Sequence, residues 1–162
     1  MMKLTLTVSL SGLDRISAKA TRDGSGRTRI LKKWGLRFRA FAERRFVKFS
    51  QGGGDWAPLK SKRRRGAKAR AAILRDTGTL LMALSPVLMK GRGAIEDTKG
   101  FSVTVGYGGP GAHPGGNGAT IAEIATYHHT GAGALPKRTV VDVPPSSVIA
   151  LMAQDAVKEL YG

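Results

Sequence analysis

The stretch from Ile30 to Phe49 constrains the fold more than any other part of this chain, because Ile30, Leu31, Trp34, Phe38, Phe41 and Phe49 keep returning to one face of an α-helix. At about 100° per residue these six form one broad apolar stripe. Lys32, Lys33, Arg37, Arg39 and Arg44 point mainly elsewhere, so the pattern predicts an amphipathic helix with a basic outer face. Thr28 is the expected cap, after polar and glycine punctuation at Asp23, Gly24, Ser25 and Gly26. Gln51 to Asp55, with three successive glycines, ends the helix, since glycine readily takes positive φ at a helix terminus. The aromatic stripe could in principle stack bases, but its helical spacing favours core packing.

Around this helix the other elements read as a mixture. Leu4, Leu6, Val8 and Leu10 alternate with polar residues and predict a half-buried strand over 3–10. Ala94 to Glu96 and Phe101 to Gly106 flank the polar stretch Asp97 to Gly100 and predict a β-hairpin whose Phe101, Val103 and Val105 face the core. Ala67 to Leu74 favours helix. A short helix capped by Asp76 or Thr77 then carries Leu80, Leu81 and Leu84 to a stop before Pro86. Residues 106–118 hold seven glycines and two prolines and are expected to form an exposed loop, as is the stretch at about 51–66. Further expectations are a helix from Thr120 to about His128, a turn at Gly131 to Ala134, a strand at Thr139 to Val143, and a helix after Pro144 and Pro145 with Val148, Met152, Ala156 and Leu160 on one face. The 162 residues suit one domain, 1–162. The predicted class is α+β: an antiparallel sheet packed against the long basic helix and the C-terminal helix, with long Gly-rich and basic loops.

Charge divides the chain unevenly. Between Arg27 and Arg75 lie 17 of its 27 Lys and Arg but only Glu43 and Asp55 of its 11 acids, so this region carries +15 of the total +16. A region this positive attracts polyanions through Coulomb forces and counterion release, without reading base sequence. Lys60, Lys62, Arg63, Arg64 and Arg65 are too densely charged to bury and form the candidate contact set for DNA or an acidic partner.

Catalytic chemistry finds little support. There is no cysteine, which removes disulfides, thiol nucleophiles and Cys-based zinc sites and fits assembly in a reducing cytoplasm. The three histidines, His113, His128 and His129, do not suggest a ligand set, because adjacent helical residues point about 100° apart. Gly106 to Gly111 lacks the Gly-Lys-Ser/Thr of a phosphate loop and contains Pro110. No nucleophile elbow or other ordered catalytic signature occurs. No catalytic, cofactor-binding or metal-binding residue is assigned, no cofactor is expected, and no run of apolar residues is long enough to span a membrane.

The order of several short motifs resembles the virion-morphogenesis, or tail-completion, family of tailed bacteriophages. Its pieces here are Phe38 to Phe49 followed by glycines and Trp56 to Leu59; Ile73 to Leu80, with Leu74 and Gly78; Val103 to Gly106; and Ile124 to Gly131, with Tyr127 and His129, leading to Leu135 to Arg138. The resemblance covers roughly 36–150 and implies a non-enzymatic neck subunit joining head connector to tail. It further implies a homo-oligomeric ring, commonly sixfold, touching a connector or adaptor, a tail terminator or tail tube, and packaged double-stranded DNA. Assembly in the host cytoplasm and residence in the virion at the head–tail junction would follow. By the same resemblance Trp56, Leu59, Leu74, Gly78, Leu80, Gly106, Tyr127, His129, Gly131 and Arg138 have structural roles. The rival expectation is a stand-alone basic nucleic-acid-binding protein.

Overall fold

The computed structural model describes residues 2–9, 18, 22, 24–58, 74, 78–85, 93–109, 111–114 and 118–162. Its elements are β1 (Leu4–Ser9), α1 (Gly24–Ser50), α2 (Thr79–Leu84), β2 (Ala94–Lys99), β3 (Ser102–Tyr107), α3 (Ile121–Thr130) and α4 (Ser146–Tyr161), an α+β fold. The three strands form an antiparallel sheet in the order β1-β3-β2.

Alternation along the strands sets the two faces of that sheet. Val103, Val105 and Tyr107 of the central strand are fully buried, with Leu4, Leu6 and Val8 of β1 packed against the same core. The opposite face is polar, and there Thr7 and Thr104, directly opposed, hydrogen-bond through their hydroxyls at 2.7 Å. The hairpin is tighter than expected: β2 continues to Lys99, which pairs with Ser102, so the turn is Gly100 and Phe101 alone. Gly100 has φ 54°, the left-handed value that two-residue hairpin turns require. Extending β2 to pair Lys99 with Ser102 satisfies backbone groups that a four-residue loop would leave to water.

α1 covers the buried face of the sheet and is in turn covered by α4. Ile30, Leu31, Trp34, Phe38, Ala42 and Phe46 are buried, whereas Phe41 and Phe49 are only partly so. Gly35 is buried where helix meets sheet, and a Cβ there would come within 3.3 Å of Glu96 Oε1 and in ordinary contact with Val103 Cγ2. On the other flank, the Trp34 indole donates a 2.7 Å hydrogen bond to the Met152 carbonyl, and Met152, Ala156 and Leu160 of α4 are buried. The C-terminal helix therefore finds its main partner in α1, which explains why the buried arc of α1 is so wide.

Several boundaries differ from the sequence expectation. α1 begins at Gly24, so Gly24, Ser25 and Gly26 lie inside it, and Thr28 is not its cap: its hydroxyl donates to the Gly24 carbonyl. Gly26 is buried, and tertiary packing outweighs the weak helix propensity of glycine. Thr139 to Val143 joins no ladder among the described residues and bends at Val141; Val140 and Val141 are buried, and side chains take the Thr139 carbonyl. Leu74 has φ 59° and is not helical, Gly78 with φ 68° precedes α2, and the proposed caps Asp76 and Thr77 lie outside the described residues.

The exposed loop expected at 106–118 also starts later than its glycines suggest. Gly106 and Tyr107 complete β3 and are buried, as is Gly108; the N–H groups of Gly108 and Gly109 both donate to the Gly93 carbonyl. Further on, Ala112 bridges Thr120, and Ile121 donates to Gly111. α3 then opens on a capping box in which Thr120 and Glu123 satisfy each other's backbone N–H groups.

Candidate polyanion interface and its supporting clamp

The basic helix sorts its cations by row. Residues four apart on a helix stack into inclined rows, and Arg29, Lys33, Arg37 and Arg45 share one. Every member is engaged: Arg29 and Lys33 with Glu159, Arg37 with Asp155, and Arg45 with Asp142 at 2.9 Å. Arg37 is raised by its hydrogen bond to Asp155, and that same bond holds the Asp155 carboxyl below its usual range. Glu159, between Lys33 and Arg29, is lowered likewise.

Arg39 is a different case, with only 2% of its surface exposed. Its guanidinium donates to Glu96 at 2.9 Å, to the Ile95 carbonyl at 3.0 Å and to the Ala83 carbonyl at 3.4 Å. One side chain thus joins α1, α2 and β2. Burial lowers its pKa while Glu96 opposes that shift, and an arginine remains charged throughout. Counted among the exposed basic residues in the sequence, Arg39 belongs to the interior.

A second row, Lys32, Leu36, Ala40, Arg44 and Lys48, winds across the exposed side of the helix, turning about 40° per step. Lys32, Arg44 and Lys48 are exposed and make no ion pair with any described residue. Near its C-terminal end lies a shallow open depression lined by Glu43, Arg44, Val47, Lys48, Gln51 and Gly53. Arg27, at the other end, stands over the Phe101 ring at 4.9 Å. The cationic face of α1 is consequently narrower than its composition implies, and among the described residues Glu43 is the acid beside it, because Glu96, Asp142, Asp155 and Glu159 all turn toward the paired cations.

Several motif residues meet in one clamp beside the helix end. Trp56 is buried edge-on against Phe46, centroids 5.0 Å apart, and against Phe49 at 5.7 Å, while its indole donates to the Thr139 carbonyl. Arg138, 4% exposed, donates twice to the Ala57 carbonyl, at 3.0 and 3.1 Å, and once to that of Pro58. Gly131 makes this reach possible: with φ 77° it ends α3 in the left-handed conformation, and a Cβ there would stand 3.0 Å from the Lys137 nitrogen. The chain returns so closely that the Arg138 N–H bonds the His128 carbonyl at 2.7 Å.

The other sequence candidates scatter. Lys60, Lys62, Arg63, Arg64, Arg65 and Leu59 lie outside the described residues. Leu80 is buried and Leu74 partly buried against the core, while Gly106 abuts β1 and Tyr127 is exposed. His129, expected to hydrogen-bond between segments, has a buried Nδ1 without a partner among the described residues, as does His128. Burial, with Arg138 and His113 nearby, lowers His128 to about 4. No group of three or more metal-ligating side chains converges among the described residues, and none of their helices is long and apolar enough to cross a membrane.

Sequence reasoning missed Arg39 and the division between rows. The signal for the second existed: Asp155 and Glu159, four residues apart in a helical pattern, complement Arg29, Lys33 and Arg37 at the same period. Comparison with known proteins finds no matching family profile, no similar curated protein and no similar solved structure.

Proposed function

We propose that this chain is a non-enzymatic structural subunit of a tailed bacteriophage, joining the head connector to the tail as a homo-oligomeric ring, sixfold by the family resemblance, around the DNA channel. The observation that carries this reading is the convergence of motif residues. Trp56, the Tyr127 to Gly131 turn and Arg138, far apart in sequence, build one clamp that fixes the segment leaving α1. The motif order on which the resemblance rests is thereby tied to residues that hold the fold. Charge supports the same reading, because cations lining a channel filled with DNA are screened by phosphate instead of repelling one another.

Particles assembled without this protein test the reading directly. The expected product is filled heads and separate tails in electron micrographs; normal infectious virions would sink it. Charge reversal of Arg63, Arg64 and Arg65 is expected to impair joining or DNA retention with the fold intact. Normal particles from a null strain, combined with tight and salt-sensitive DNA binding by the purified chain, would favour the stand-alone nucleic-acid-binding alternative.

A further inference from the structure

The two rows of α1 have different fates, and the outward one has the properties of a backbone-contact surface. Lys32 and Lys48 are about 24 Å apart along the helix axis and sit at opposite margins of its exposed side, about 160° apart, whereas Arg44 and Lys48 are about 6 Å and 40° apart. The phosphates of one DNA strand advance about 3.4 Å per step, so Arg44 and Lys48 can reach phosphates one or two steps apart. Between the cations stand Leu36 and Ala40, which offer no hydrogen-bonding group for reading a base edge. Nor do the helix's aromatics offer an open stacking platform: Trp34, Phe38 and Phe46 are at most 3% exposed, Phe41 is partly buried and tilted against Phe38, and Phe49 packs edge-on against Trp56. Single strands bind through such stacking platforms, so the face suits a duplex. Ion pairs draw Glu96, Asp142, Asp155 and Glu159 away to the paired cations, leaving Glu43, among the described residues, as the acid beside the outward row.

We propose that Lys32, Arg44 and Lys48 of α1 contact the phosphate backbone of duplex DNA, in their own right and not only through the charge of Lys60 to Arg65, and without base readout. The proposal deepens the DNA-facing part of the neck reading and rests on it. It gives α1 two jobs: the inner row holds α4, and the outer row meets the polyanion.

The test is fluorescence anisotropy of the purified full-length chain on a labelled duplex of arbitrary sequence, titrated with salt between about 50 and 200 mM. Three variants are compared with wild type: Lys32→Gln/Arg44→Gln/Lys48→Gln, Arg29→Gln/Lys33→Gln, and Arg63→Gln/Arg64→Gln/Arg65→Gln. Each phosphate contact contributes about 0.9 to the slope of log K against log salt, so the outer-row variant is expected to lose about two to three from that slope. The inner-row variant should keep the slope and melt lower. Thermal melts report whether each variant folds, and the double substitution Arg44→Gln/Lys48→Gln, expected to lose about two, stands in if the triple one does not. An unchanged slope in the outer-row variant, with loss confined to the Arg63 to Arg65 variant, overturns the proposal and leaves the wider polyanion reading standing. Tighter binding to a single strand than to the duplex also overturns it. If wild type binds no DNA even at about 50 mM salt, the proposal and the DNA-facing part of the neck reading fall together. The joining role is still decided by particle morphology.

Discussion

At Gly106, the central strand passes so close to β1 that a Cβ would overlap the Leu4 carbonyl oxygen and stand 2.8 Å from Thr5 Cα. Neither obstacle is the flexible end of a side chain. Gly106→Ala is therefore expected to cost about 3 kcal/mol, in line with overpacked cores, measured by urea unfolding; a change near zero would mean that β1 gives way freely. Arg39 is the reverse case, a charge whose removal leaves Glu96 and two carbonyls without their donor. Arg39→Met keeps the stem packing and should cost about 3 kcal/mol, as breaking a buried pair does, with Arg39→Met/Glu96→Leu recovering most of it. His128 supplies a pH signature. It takes up a proton in the unfolded chain near 6.5 but in the fold only at about 4, so between those values the unfolded state binds more protons and stability rises with pH. The melting temperature should fall as pH drops through this window, and His128→Gln should lose part of the slope, the rest belonging to His129, which burial also lowers. Asp155 and Glu159, lowered by their cations, lose their contribution only at still lower pH. A melting temperature flat across the window would contradict the burial of His128.

Among the elements, the α1–α4 seam sets two kinds of interaction side by side. Its ion pairs have Arg29 and Lys33 about half exposed, at 53% and 45%, and exposed pairs contribute about 0.2–1 kcal/mol each. Met152 and Leu160 are buried, and truncation of such a residue costs about 2–5 kcal/mol. Met152→Ala should accordingly destabilise the protein more than Asp155→Asn/Glu159→Gln, and only the latter effect should vanish in high salt, as denaturant titrations at two ionic strengths would reveal. These elements also mark what the sequence could disclose. The strand at Leu4 to Ser9, the long helix and the C-terminal helix were legible because their apolar periods are undisturbed over several turns or residues. Thr139 to Val143 was misread because its valines report burial, of the adjacent Val140 and Val141, whereas a strand also needs a neighbour to pair with. The hairpin turn was placed too wide because Asp97 and Lys99 look like loop residues, although on an edge strand such side chains simply point to solvent.

For the molecule as a whole, the excess charge of +15 in 27–75 was read correctly as a sum and incorrectly as a surface. Composition counts Arg39 and Arg45 with Lys32 and Lys48, but the first two serve the interior and the Asp142 segment, and the last two face outward. Only the three-dimensional pairing with β2 and with Asp142 separates them. The clamp of Trp56 and Arg138 was visible in the sequence solely as motif order, since its hydrogen bonds run to backbone carbonyls that no residue pattern displays. On this account the chain is an assembly subunit whose core is stapled by its acids and whose remaining cations meet DNA. An electron-microscopy reconstruction of the intact head–tail junction tests that claim most directly. The account predicts a ring of this α+β fold between connector and tail, with Lys32, Arg44 and Lys48 toward the DNA channel; a junction containing no copy of the chain would contradict it.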